Sequence, residues 1–491
     1  MSPTAEHKHY HRHGTSTPNG SQTSTVLPWM KRHVAALVLI VVQVIALIAE
    51  MPWLPRPARA HLLQALVIAL FAFLAARESQ EKASWRESLR GVLPWLCALI
   101  AWCVFLVVYP PSHSAGDAAR ILQPFAIGEL LRMLLCAGVY YAASRYLRED
   151  DVWPVLFGVL GVGTLVSFYG FTLFGSGSHP GDEMTSVFGN HEQFGSYLML
   201  LLPIPLAVAI SYRDKSAFQI ASQVIAVIIG SALIVARTRS AWLGGLTGAL
   251  VLLALNLRFA PPKIGRANKY LVVGPLLILS VAFGGLIFSD QLAPILSQRA
   301  GTFAHLVGDV SLTDRLRRWK AACAMTAERP LTGWGLGAFP VIQQRFTGEG
   351  DAPDVVVRRG TGHSNLAHNF WAQWASETGA PGLLLYFAAM AAGIIRLTML
   401  ASRRRGQTQV LLIGVVATIA ATMVDMVGAP SYTFPGVSLL PWLWLGLGET
   451  IAQRCEQDDV APEGSSVPTH VAAAVLGIAA AAVVLLAGRA G

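Results

Sequence analysis

Apolar stretches long enough to cross a bilayer recur along nearly the whole chain. They fall near 33–52, 61–76, 91–109, 121–144, 153–174, 192–211, 218–236, 241–257, 270–288, 379–397, 409–428, 436–452 and 469–488. Such runs in lipid are helices, because every backbone polar group must be satisfied within the segment. One long polar break, 289–378, interrupts them. The pattern predicts an all-α polytopic membrane protein of about twelve or thirteen transmembrane helices, with a large, partly helical loop. The expected divisions are a tail over 1–30, a bundle of about nine spans over 31–288, the loop over 289–378, and C-terminal transmembrane helices over 379–491.

The tail carries His7, His9, His11 and His13 and reads as disordered, with metal binding by the histidines as the alternative. The first apolar stretch is of full span length with no small-residue cleavage site after it, so it reads as a span and not as a cleaved signal. Basic residues gather in the short breaks at 77–90 (Arg77, Lys82, Arg86, Arg90), 258–269 (Arg258, Lys263, Arg266, Lys269) and 396–405 (Arg396, Arg403, Arg404, Arg405). Excess Lys and Arg marks cytoplasmic loops. The N-terminus then lies in the cytoplasm and 289–378 on the outer face. An even span number would leave the C-terminus inside, and an odd one outside.

Composition agrees with this. The chain has 491 residues, of which 54% are hydrophobic and 13% charged, with mean hydropathy +0.51, whereas soluble domains carry about 25% charged residues. The formal net charge of +9 reflects cytoplasmic loops, and no nucleic-acid module is visible. The cysteines, Cys97, Cys103, Cys136, Cys323 and Cys455, have neither metal-ligand spacing nor a disulfide pattern.

The chemistry gathers in the long loop. Residues 311–329 predict an amphipathic helix capped by Ser311 with Asp314, or by Thr313, and closed at Arg329-Pro330. Leu316, Trp319, Lys320 and Cys323 share one side. Arg315 and Arg318 share the next, at a spacing that suits a phosphate or diphosphate, because guanidinium pairs two oxygens at once. A solvated face, or contact with lipid headgroups, is the alternative. Gly333, Gly335 and Gly337 predict a tight turn packing Trp334, since no βαβ pattern surrounds them.

A further helix is expected from Ser364 or Asn365 to a stop at Gly379, with His368 in or near its first turn. There the helix dipole favours a neutral imidazole able to take a proton. The alternative is a headgroup-level histidine that packs. His363 is a second candidate, five residues away and on a different face, so the two do not read as a metal site. Arg237 and Arg239 sit between two spans with almost no loop, where arginines are costly unless they function or reach headgroups. Asp425, near a span end, can orient an imidazole or pair with an arginine. Glu129 and Arg132, spaced i,i+3, can neutralise each other.

These segments, taken in order, resemble a family. His368-Asn369 followed by Gly379 and Gly382, Thr238 through Gly244, Arg315 through Trp319 with the glycines after it, and Asn190 through Gly195 resemble the bacterial O-antigen ligases and related O-antigen polymerases, over roughly 185–430. The resemblance implies a multi-span, lipid-linked glycosyltransferase fold in the bacterial inner membrane, with its site facing the periplasm. It implies transfer of a glycan from undecaprenyl diphosphate to a sugar hydroxyl of lipid A-core, without metal or other cofactor, or, in a polymerase, to a second lipid-linked glycan. His368 matches the family's base, Arg239 and Arg315 its essential arginines, and Asp425 more loosely an acidic residue. Ser240 follows Arg239 where the family often has Ser before the arginine, which leaves Arg237 as a rival. Arg318, Asn369 and His363 complete the expected substrate-binding set. A protein oligosaccharyltransferase and a lipid or solute transporter are the other readings. The first usually carries more exported sequence after the histidine, and the second calls for matching broken spans, which are not seen.

Overall fold

The computed structural model describes residues 32–78, 91–111, 117–176, 183–211, 217–259, 310–347 and 366–458. Among these there is no strand. The helices are α1 (Val34–Glu50), α2 (Arg56–Glu78), α3 (Leu93–Val108), α4 (Asp117–Tyr146), α5 (Glu149–Gly175), α6 (His191–Leu201), α7 (Pro203–Ser211), α8 (Ala217–Val235) and α9 (Arg239–Phe259). After these come α10 (Val310–Glu328), α11 (Phe370–Arg403), α12 (Gly406–Asp425) and α13 (Pro435–Asp458). Eight helices among the described residues are long and apolar enough to cross a membrane, so the protein is a multi-pass membrane protein. Each apolar stretch predicted within the described residues coincides with a helix. Those at 270–288 and 469–488 lie outside them, as do the His-rich tail and His363.

The bundle is organised around α6, whose residues from Glu192 to Leu201 are all buried. Small residues let its neighbours approach closely, the usual way helices associate in lipid. A side chain at Gly244 or Gly248 of α9 would collide with the carbonyls of Ala421 and Ala417 on α12, at 2.9 and 3.3 Å. A side chain at Gly446 of α13 would meet Ala143 Cβ of α4 at 2.6 Å. Trp444 Nε1 donates to the Leu200 carbonyl (3.1 Å), which ties α13 to α6.

A second, smaller core covers one end of the bundle. Leu122 of α4, Ala322 and Met325 of α10, Trp334, Phe339, Val341 and Ala367 pack together there. The Gly-Trp-Gly-Leu-Gly run is the expected tight turn: Gly333, Gly335 and Gly337 have φ of 60°, 99° and 66°, and Trp334 is buried. It docks on the break in α11, where Gly379 (φ 70°) interrupts the helix just before Pro381. Trp334 N–H donates to the Ser376 carbonyl (2.9 Å) and Ala380 N–H to that of Pro330 (2.8 Å). The buried Glu377 carboxylate accepts from Gly337 N–H (3.0 Å), Phe339 N–H (3.3 Å) and Gln373 Nε2 (3.1 Å). The loop layer is thereby fastened to the span that begins at the glycine.

Three expectations fail in detail. The loop helix starts at Val310, so Ser311 and Thr313 lie inside it and do not cap it. Its buried face is Ala321, Ala322 and Met325, while Leu316, on the side that carries Trp319 and Cys323, is 45% exposed. The final loop helix starts at Phe370, not at Ser364 or Asn365. Its cap is Asn369, whose side chain accepts from Ala372 N–H (3.0 Å).

Candidate functional site

The starts of α6, α9 and α11 meet α10 and the end of α12 at the end covered by the smaller core. Each helix start is shaped by local chemistry. Asn190 caps α6, its side chain accepting from the N–H groups of Glu192 (2.7 Å) and Gln193 (3.3 Å). Thr238 precedes α9, its hydroxyl donates to the His191 carbonyl (2.8 Å), and Gly195 leaves room for it on α6. Phe370 N–H donates to the Met426 carbonyl (2.8 Å) and Trp371 Nε1 to that of Met423 (3.1 Å), which docks α11 on the end of α12.

The described non-glycine residues with positive φ are Ser186 (51°), Arg237 (55°) and His368 (50°), standing ahead of α6, α9 and α11 respectively. Each such conformation costs about 1–3 kcal/mol and persists only where the surroundings enforce it. His368 immediately precedes the cap residue, so it lies near the first turn, as expected, and not in it, and a direct side-chain partner sits closer to its ring than the helix does. The ring is governed by a carboxylate instead.

That carboxylate is Glu192. Its Oε2 lies 3.0 Å from His368 Nδ1, and its Oε1 accepts from an Arg315 guanidinium nitrogen. Glu192 is 6% exposed, His368 14% and Arg315 29%. A second Arg315 nitrogen donates to the Gly428 carbonyl (3.2 Å). Gly428 in turn lies against Ser240, where a Cβ would stand 2.8 Å from Ser240 Cβ, so the residue after Arg239 borders the Arg315 contact. Arg318 donates to Asp314 (2.9 Å) and to the Leu366 carbonyl (3.3 Å), two residues before His368. Arg315 and Arg318 therefore do share a side of α10, and that side faces the histidine segment.

The remaining candidates separate. Arg239 opens α9 and is partly exposed, whereas its rival Arg237 is buried in the preceding turn. Asp425 neither orients the imidazole nor pairs with an arginine. It is fully buried, its carboxylate accepts from the Tyr432 hydroxyl (2.9 Å), and the Ser196 and Ser240 hydroxyls also face it. Short hydroxyl side chains can enter that tightly packed junction of α6, α9 and α12 where a long guanidinium cannot. Glu129 and Arg132 do neutralise each other (2.9 Å), with Arg132 also donating to the Tyr432 carbonyl (2.8 Å). Among the described residues no cluster has the makings of a metal site.

Glu192 is the residue that sequence reasoning passed over. It lay inside a segment valued only for its resemblance, yet a carboxylate opening an otherwise apolar span is itself a signal of function. Beside it His191 Nδ1 meets Glu183 (2.7 Å), a second histidine–carboxylate contact at this end.

The arrangement can take a proton at the imidazole nitrogen that does not meet Glu192 and present guanidinium charge on the other side of the same carboxylate. No curated protein gives a significant match to the chain. Residues 224–387 match the family model described as O-antigen ligase. That matched segment supplies the Arg239 turn, the Arg315 helix and the His368 loop, and over it the chain is similar to the O-antigen ligase family.

Proposed function

We propose that the protein is an O-antigen ligase, which moves a glycan from undecaprenyl diphosphate to a sugar hydroxyl of lipid A-core. The observation that carries this reading is the meeting of His368 and Arg315, from separate loop elements, on one buried carboxylate. It puts a proton acceptor beside a group suited to a departing diphosphate.

In the reaction, His368 Nε2 takes the proton of the acceptor hydroxyl as that oxygen attacks the anomeric carbon. The carbon–oxygen bond to the diphosphate breaks, and its electron pair leaves with the lipid carrier. Arg239 and Arg315 meet the growing negative charge on the diphosphate, with Arg318 beside them. Arg237, Asn369 and Asp425 support the site from beside it. Asn369 does so by setting the helix start, and Asp425 by holding the Ser240 end of the arginine turn. A single displacement inverts the anomeric centre.

In this reading the site end of the bundle faces the periplasm, across the bacterial inner membrane, with about twelve spans in all. The test supplies purified protein with undecaprenyl-diphosphate glycan and, in separate samples, lipid A-core or no acceptor. Product on lipid A-core alone is expected. Chain extension without it makes the protein a polymerase, and a retained anomeric configuration overturns the single displacement.

A further inference from the structure

We infer that Glu192 is a positioning residue for the base, holding His368 in the tautomer whose Nε2 faces the acceptor. The inference rests on the reading of His368 as base and adds a residue outside the family-matched segment 224–387. A carboxylate has acceptor sites only. With Oε1 occupied by Arg315 and Oε2 by the ring, the hydrogen in the second contact must come from Nδ1. Nε2 is then the nitrogen with the free lone pair.

The aim of this carboxylate is fixed independently of the histidine. Glu192 sits in the first turn of a helix buried along its length and capped by Asn190. The backbone on either side of His368 is also held: Ala367 N–H donates to Gln373 (3.2 Å) and Phe370 N–H to the Met426 carbonyl. Neither main chain can swing to re-aim the ring, so the side-chain contact does. When the ring has taken the acceptor's proton, the same carboxylate lies against the new positive charge. Through its other oxygen it holds Arg315, so one residue sets the spacing between the proton acceptor and the leaving-group site.

A purely structural tie between α6, α10 and the His368 segment would look different in experiment. In 15N spectra of histidine-labelled protein, the signals lost in His368→Ala should show hydrogen on Nδ1 and none on Nε2. Glu192→Gln, which can both donate and accept, should mix the two tautomers. The same variant should lower kcat by about 100- to 10,000-fold, as the loss of other carboxylates that orient a histidine does, with the donor KM unchanged or lower. Glu192→Asp keeps the charge but not the reach and is read in the same way should the glutamine variant fail to fold. Hydrogen on Nε2 in the wild type overturns the inference, as does a loss seen only as a raised KM or a kcat within about threefold of wild type. Full turnover in His368→Ala would sink the base itself. An inactive His368→Ala with near-normal Glu192→Gln would sink only the role given to Glu192.

Discussion

The protein holds a histidine against a carboxylate at each end of its bundle. His33, just before α1, contacts Asp151 of α5, and His368, just before α11, contacts Glu192 of α6. The second oxygen of Asp151 accepts a backbone N–H, that of Arg148 at the start of α5 (2.8 Å). The second oxygen of Glu192 accepts from a guanidinium that is itself partly exposed. The His33 ring is 7% exposed on an ordinary backbone, and the His368 ring 14% exposed on a strained one. The first pair fastens the start of α1 to the start of α5. The second joins a part-buried ring to a partly exposed cation. A histidine and a carboxylate thus make a fastening at one end and, in the function proposed above, a reactive pair at the other, and the difference lies in what the carboxylate's other oxygen holds.

Exchanging the two histidines for alanine should separate these roles most widely. His368→Ala should cut turnover by about 100- to 10,000-fold, the usual contribution of a general base, with the thermal midpoint in detergent little changed. His33→Ala should leave turnover per folded molecule near wild type. It should lower stability by about 1–3 kcal/mol, because a buried carboxylate oxygen loses its partner. Equal loss of turnover in both would erase the contrast.

The arginines sharpen it next. Arg315→Lys and Arg239→Lys should each lower kcat by about 100- to 1,000-fold, the range seen when one group that stabilises developing charge is removed. Lysine keeps the charge and loses the planar fork. At position 315 one ammonium cannot reach both Glu192 and the Gly428 carbonyl as the guanidinium does. Near-normal rates in Arg239→Lys with loss in Arg237→Lys would transfer the role to the buried neighbour.

Much of the fold that carries these two pairs is legible in the chain itself, though the pairs are not. Span positions follow from runs of apolar residues, which have one physical solution in lipid. The glycine turn around Trp334 and the break at Gly379 follow from backbone freedom alone. What hydropathy does not carry is which faces meet. The loop helix buries alanines and leaves Leu316 exposed. The partner of His368 was equally hidden, since 176 residues separate it from Glu192 and spacing rules reach only a few positions. Asp425 shows the converse. A carboxylate near the right span end was close to the site, but it is fully buried and bonded to the Tyr432 hydroxyl instead.

The smallest effect is expected at Arg317, two residues along α10 from Arg315. It pairs with Asp314 at 2.8 Å, but both are well exposed, at 47% and 36%. Partial burial alone would raise the Asp314 carboxyl, yet Arg317 and Arg318 outweigh it and hold that carboxyl below its ordinary range. A group lowered in the folded state contributes stability above its ordinary range and loses it as pH falls through the lowered value. For an exposed pair, water and salt screen most of that gain, which leaves about 0–1 kcal/mol. Arg317→Ala should therefore change the thermal midpoint only slightly at neutral pH, and not at all in acid, with kcat unchanged. Loss of turnover comparable to that of Arg315→Lys would mean that the charge of the whole helix matters, and not the one guanidinium held between Glu192 and Gly428.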